Sequence, residues 1–176
     1  MMETVQPAIS LWQWSAQNRD AFQPPSGAKL LFEDSEFVVL IIRGPNDRRD
    51  FHVDPSDELF YQLEGDIRVD TMGEDGRRQG HAVKEGQFLL VPHSVPHSPH
   101  RPAGTTGLVV ERKRRPDESE SFVWYCEKCG LELHRLDKRV SELTREVNET
   151  IRNFNASPEL QRCRHCGFDN GIRTAS

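Results

Sequence analysis

His52, Glu58 and His97 are the residues of this chain whose types and spacing could hold a reactive metal. They fall in two separated stretches, His52–Val53–Asp54–Pro55–Ser56–Asp57–Glu58 and Gly86 through His97, both rich in strand and turn residues. Two imidazoles and one carboxylate on one side of a metal leave roughly three of six coordination positions open, as in non-heme Fe(II) oxygenases. Open positions let a bidentate substrate and dioxygen meet at one centre, so the cluster points to an enzyme. His93 and His100 flank His97, and Pro92, Pro96 and Pro99 interrupt strand parity there. Local pattern therefore leaves the three histidines open, and only motif spacing selects His97. His81 follows a hairpin turn and reads as solvated.

The four cysteines form two C-x-x-C pairs, Cys126/Cys129 and Cys163/Cys166, each followed by glycine. In a reducing compartment such pairs bind metal rather than form disulfides. Four thiolates close a tetrahedral site without an open position, which is a structural arrangement. Thiolates accept both iron and zinc, so the metal is either. His165, inside the second pair, is superfluous as a ligand.

The elements that must position these groups come in short lengths. Ser10 can cap a short helix carrying Leu11, Trp12, Trp14 and Phe22, ended by Pro24–Pro25. From Lys29 the period changes to β-rich runs, split at Asp34–Ser35 and punctuated by Gly44–Pro45–Asn46–Asp47, Gly65–Asp66, Gly73–Glu74–Asp75–Gly76 and Glu85–Gly86. Many short strands with Gly/Asp turns predict an all-β sandwich or barrel. Residues Arg115 to Ser121 are charged and contain no apolar side chain, which predicts a linker. Leu136, Val140, Leu143, Val147, Ile151 and Phe154 recur at three- and four-residue spacing and predict one amphipathic helix from Leu136 to Phe154. The expected organisation is a catalytic domain over 1–115 and a linker with a metal-binding appendage over 116–176.

With 176 residues the chain can bury a real core, and 35% hydrophobic with 29% charged residues describes an ordinary soluble protein. The net charge of -5 argues against nucleic acid. The one basic run, Glu111–Arg112–Lys113–Arg114–Arg115, reads as a solvated strand end. Met1 to Ser10 lacks the apolar run of a signal peptide, and Phe37–Ile42 is strand length rather than a membrane span. A cytoplasmic location with no membrane partner is expected.

Glu58 and Gly65 are separated by six residues, Gly86 and Pro92 by five, and His97 lies five beyond Pro92. This resembles the two motifs of the cupin superfamily, whose metal ligands sit in a small jelly-roll barrel. That family usually has a second histidine two residues after the first, where this chain has Asp54. Within cupins, Gly44–Pro45–Asn46, Phe60–Tyr61–Gln62–Leu63, His97–Ser98–Pro99, Val110–Glu111–Arg112 and Trp124–Tyr125–Cys126 resemble the 3-hydroxyanthranilate 3,4-dioxygenase family, with a rubredoxin-like tail of the bacterial and fungal type.

The resemblance implies an all-β cupin barrel with a short N-terminal helix and a four-cysteine tail containing one helix. It implies Fe(II) ligands at His52, Glu58 and His97, and a second iron or zinc at Cys126, Cys129, Cys163 and Cys166. It makes Arg48 and Arg101 the anchors of a substrate carboxylate, Glu111 the polar partner of the substrate's hydroxyl or amino group, and Glu58 part of the substrate-binding set. The implied reaction joins an aminophenol carboxylate and O2 into 2-amino-3-carboxymuconate semialdehyde, which closes to quinolinate, in tryptophan catabolism through the kynurenine pathway toward NAD biosynthesis. A homodimer is implied too, with Trp12, Trp14 and the tail as interface material.

An Arg fork fits a carboxylate bidentately, and a chelating phenol needs a nearby proton acceptor. Arg49 competes with Arg48 for the anchoring role. Glu111 lies on an apolar strand, where an unpaired carboxylate is costly, so it is ion-paired to an internal Arg, functional, or both. The chain departs from the family in Ala28, where Asn is usual, and in Arg43, where Gly is usual; the latter adds a cation near the expected pocket mouth. Two rivals follow. One is the same chemistry on another ortho-aminophenol or catechol carboxylate, the other a non-enzymatic regulatory cupin whose tail contacts a partner.

Overall fold

The computed structural model describes residues 5–33 and 35–171. Asp34, expected in the break between the first two strands, lies outside them, as do Met1 to Thr4 of the N-terminal segment. The chain opens with α1 (Leu11–Gln17) and a single 3-10 turn (Arg19–Ala21), shorter than the helix expected to reach Pro24. Asn18 ends α1: its backbone N–H and side-chain amide both donate to the carbonyl of Trp14.

Eleven strands follow among the described residues: β1 (Ala28–Leu30), β2 (Phe37–Arg43), β3 (Phe51–Val53), β4 (Glu58–Glu64), β5 (Ile67–Met72), β6 (Arg78–Val83), β7 (Phe88–Val91), β8 (His97–His100), β9 (Thr106–Arg112), β10 (Glu120–Tyr125) and β11 (Glu132–Lys138). They form two antiparallel sheets, β1-β2-β9-β4-β7 and β11-β10-β3-β8-β5-β6. This is the expected jelly-roll barrel. Period-two alternation sets which side chains enter it. Val38, Leu40 and Ile42 of β2, Phe60 of β4, Val109 of β9 and Val69 of β5 meet in one buried cluster.

The outer face of the first sheet is also apolar. Val39, Val110, Leu59 and Leu90 lie in register across four strands, and Ile41, Leu108, Tyr61 and Phe88 form the next such row. Leu90 and Phe88 at the β7 edge are 57% and 65% exposed, with Phe88 stacked on Tyr61.

The expected helix from Leu136 to Phe154 is corrected. Leu136 belongs to β11, paired with Phe122 of β10, and the helix is α2 (Leu143–Asn155). The apolar period ran through the turn because Val140 and Leu143 pack on the same cluster as the helix, although Val140 precedes it. A second short helix, α3 (Pro158–Gln161), follows, so the tail holds two helices rather than one. Glu142 offers no side-chain cap to α2; Glu146 reaches back to accept the Ser141 and Glu142 backbone N–H groups instead, and Lys138 pairs with it at 2.7 Å.

Glu120 and Ser121, expected in a linker, are the first residues of β10, which hydrogen-bonds beside β3. Phe122, Trp124, Val147, Ile151 and Phe154 bury one another there, and Leu143 touches this cluster as well as the barrel core. Full burial of a Phe such as Phe122 contributes roughly 1.5–3 kcal/mol. The tail is thus packed on the barrel through α2.

Candidate metal centre and substrate cavity

The two sheets divide the labour of building the first cluster. His52 is the middle residue of β3 and His97 the first of β8; the two are register partners on one face of the second sheet. Glu58 begins β4 on the facing sheet. Its Oε1 lies 3.4 Å from His52 Nδ1 and 3.0 Å from His97 Nε2, and all three side chains are buried. Burial alone would raise the Glu58 carboxyl, but the charge and contacts of His97 and His52 hold it well below the usual range.

The far ring nitrogens are both engaged. Nδ1 of His97 lies 3.0 Å from the Val95 carbonyl, and Nε2 of His52 lies 2.6 Å from Glu120. Such partners fix which nitrogen faces inward. Phe122 stacks on the His52 ring with centroids 5.2 Å apart. Despite the opposing effect of burial, Glu120 and Glu58 raise the His52 imidazolium to about 10. Three donors converge with no hydrogen bond to Glu58 Oε1, and the outer nitrogens of both histidines are held; this set fits a divalent cation.

His93 pairs with Asp57 on the surface and His100 with Asp70, so the structure brings only His97 into the cluster. His81, expected to be solvated, is half-buried and meets the Thr71 hydroxyl at 2.9 Å. Asp54, at the position of the usual second cupin histidine, is occupied elsewhere: Oδ1 accepts from Ser56, and Oδ2 pairs with Arg114.

Arg114 corrects the expectation of a solvated basic run. Its side chain is 9% exposed and grips Asp54, Glu111 at 2.8 Å and Glu120 at 2.7 Å. One guanidinium thereby ties the end of β9 to the β3–β4 loop and to β10. Glu111 keeps its Oε2 without a partner. Burial, then the nearby Glu58 charge, raises the Glu111 carboxyl well above its ordinary value even though Arg114 opposes this. A carboxyl so placed is a candidate for proton transfer with a bound ligand.

These groups face one cavity. Its polar side carries Asn46, Arg48, Arg101 and Glu111 beside the His/Glu cluster, and its apolar side includes Ile42, Phe60, Pro99 and Val109, with Leu143 and Val147 from α2. Asn46 holds the rim by accepting from the Arg101 backbone N–H and donating to the Pro99 carbonyl. Arg48 is bonded twice to Asp50, whereas Arg101 has Gln62 as its side-chain partner and leaves Nε and Nη2 without one. Arg49 points elsewhere, to Asn170, Asn155 and Gln161 of the tail. Ala28 lines the cavity. Arg43 does not; it lies over the Phe22 ring, 5.7 Å from its centroid.

The four cysteines also converge, with Cys126 and Cys166 sulfurs 3.7 Å apart and Cys129 and Cys163 sulfurs 3.7 Å apart. The two knuckles are alike: Gly130 N–H donates to the Cys126 carbonyl and Gly167 N–H to that of Cys163, and both glycines have positive φ.

Sequence reasoning missed Glu120, Arg114, Gln62 and Asp50. For Glu120 a signal existed, since it shares strand parity with Phe122 and Trp124 and an acid on a buried apolar face needs a partner.

Among known proteins, the family described as 3-hydroxyanthranilic acid dioxygenase matches residues 2–155. A Bacillus cereus protein named 3-hydroxyanthranilate 3,4-dioxygenase is 46% identical over 167 residues, covering 95% of this chain and 93% of that protein. Proteins of the same name from Burkholderia lata and Xanthomonas campestris are 38% and 37% identical, covering 88% and 92% of this chain and 89% and 90% of their own lengths.

Proposed function

The chain belongs to the 3-hydroxyanthranilic acid dioxygenase family of metal-dependent ring-cleaving enzymes, and on that premise we propose that it acts through Fe(II) held by His52, Glu58 and His97. It converts 3-hydroxyanthranilate and O2 to 2-amino-3-carboxymuconate semialdehyde, the quinolinate precursor. The observation that carries the site assignment is the cavity itself: a three-donor cluster, a buried carboxyl with one unpartnered oxygen and an arginine without a carboxylate partner line one space.

When bound, iron supplies positions where an ortho-aminophenol and dioxygen can meet and exchange electrons. The remaining work belongs to the protein. Arg101, with Arg48 beside it, receives the substrate carboxylate and turns the hydroxyl and amino groups toward the His/Glu cluster. Glu111 takes up the proton that the phenol releases and returns it as the ring opens. Phe60, Val109, Leu143 and Val147 exclude water around the ring.

We assign a second metal, iron or zinc, to the four cysteines as a structural centre, in keeping with four converging sulfurs and no open position. Four free thiols support a cytoplasmic location; among the described residues no helix is long and apolar enough to cross a membrane. We also assign a second copy of the chain as partner, with the exposed apolar rows ending at Leu90 and Phe88 as a candidate face beside Trp12, Trp14 and the tail. Ala28 in the cavity wall favours one alternative substrate class, another ortho-aminophenol or catechol carboxylate of different bulk.

Anaerobic Fe(II) reconstitution followed by oxygen uptake with 3-hydroxyanthranilate tests the function. Stoichiometric uptake with semialdehyde formation is expected. Absence of uptake by iron-loaded protein would overturn the assignment and favour a regulatory cupin.

A further inference from the structure

We propose that Gln62 reserves the charge of Arg101 for an anionic substrate by offering it a hydrogen-bond acceptor that carries no charge. This rests on the reading of Arg101 as a carboxylate anchor and goes one step behind it. Gln62 acts through Arg101 and is a positioning residue.

Three other arginines show the contrast. Arg48 is neutralised by Asp50, Arg114 by three carboxylates, and Arg112 by Glu118 at 2.5 Å. Arg101, 3% exposed, receives none. Its Nη1 donates to Gln62 Oε1 at 3.1 Å, and its Nε and Nη2 are buried without a partner. Burial, and then the charge of Arg48, push its pKa down to about 10. A buried guanidinium in this condition is stabilised by an arriving carboxylate.

The surroundings keep Gln62 in this role. It is 1% exposed on β4, and its amide N–H donates to the Glu64 carbonyl at 2.8 Å, which turns the oxygen toward Arg101. Across the sheet its register partner is Gly107. A Cβ at Gly107 would stand 2.5 Å from Arg101 Nη1 and 2.8 Å from Gln62 Oε1, so the missing side chain leaves room for the guanidinium. A carboxylate at position 62 would satisfy Arg101 internally and compete with the ligand. Preference for carboxylated aminophenols thus depends on an amide two residues beyond Phe60, outside the cavity lining.

The test is anaerobic titration of iron-loaded protein with 3-hydroxyanthranilate and with 2-aminophenol, in the parent, Gln62→Glu and Gly107→Ala. The parent should prefer the carboxylated compound. Gln62→Glu should reduce that preference about tenfold or more, with 2-aminophenol affinity and iron content unchanged, because its carboxylate replaces the ligand's. Burial can hold an introduced carboxyl protonated, so the titration is run at about pH 6 and about pH 9, and the preference should be weaker at the higher pH. Gly107→Ala, which displaces the guanidinium without adding charge, should also lose preference but show no such pH trend. An unchanged ratio in both variants at both pH values, or equal losses for both compounds, would overturn the role of Gln62. A parent without preference would instead sink the anchor reading of Arg101 and leave the two failures distinguishable.

Discussion

Glu120 meets Nε2 of His52 at 2.6 Å, and this contact aims Nδ1 of the same ring at Glu58. The His/Glu cluster is therefore aligned by a residue of β10, later in the chain than all three of its members. Replacing an outer partner of a metal-bound histidine typically costs 10–100-fold in metal affinity. Glu120→Gln should weaken iron binding at the barrel by about that factor, while His52→Ala, Glu58→Ala and His97→Ala abolish it. Metal titration followed by elemental analysis reads this directly. Parent-like iron affinity in Glu120→Gln would show that His52 is aligned without it.

Arg101→Ala should impair the carboxylated substrate selectively. Truncating one partner of a buried charge pair costs about 2–5 kcal/mol, which is thirty-fold or more in kcat/KM. Arg48→Ala should cost less in discrimination, because Asp50 already takes much of its charge, although it leaves that buried carboxylate unpaired. Steady-state kinetics with 3-hydroxyanthranilate and 2-aminophenol give the ratio. Equal losses for the two compounds in Arg101→Ala would refute the anchor.

Cys129→Ser or Cys163→Ser should release the second metal and loosen the tail, since a structural site adds its binding energy to local folding. Leu143 and Val147 line the substrate cavity from α2, so KM should rise while iron at the barrel is retained. Elemental analysis with limited proteolysis checks the pair of outcomes. A folded Cys variant with no ring cleavage at saturating substrate would point to a catalytic link instead.

Glu146→Gln should destabilise the tail helix by roughly 1.5–3 kcal/mol, the usual worth of hydrogen bonds to a charged group. Lys138, followed by the Glu142 and Ser141 backbone N–H groups, holds the Glu146 carboxyl below its ordinary 4.5. A depressed native value means the contribution is complete above about pH 4.5 and fades as acid protonates the folded state. Parent protein should therefore lose tail stability below that pH and Glu146→Gln should not show this component. Thermal melts followed at Trp124, which stacks on Phe154, are the measurement.

The barrel and the cysteine site were legible because glycine turns, alternating apolar residues and paired C-x-x-C spacing are local signals, whereas the choice of His97 for the His/Glu cluster came from motif spacing. The β10–β11 pair was not legible. Glu120 looked like linker because its strand is stabilised by pairing with β3 and by Arg114, partners distant in sequence. Leu136 looked helical because it stands four residues before Val140, in step with the helix that follows; it is instead an exposed strand residue, and spacing does not reveal a change of backbone. Arg114 sat in a run of charges that composition alone reads as solvated. Its burial depends on three acids brought together only by folding.

β3 gains its second neighbour only when β10 is laid beside it. During synthesis all three barrel ligands leave the ribosome well before Glu120 and Phe122 do. Without β10, β3 would be a sheet edge and His52 would lack both its Glu120 contact and the Phe122 ring on its face. Closure of the His/Glu cluster consequently waits for a strand that follows all three of its residues in the chain. A nascent chain interrupted in the Arg115–Glu118 stretch would carry His52, Glu58 and His97 and still lack the strand that aligns them.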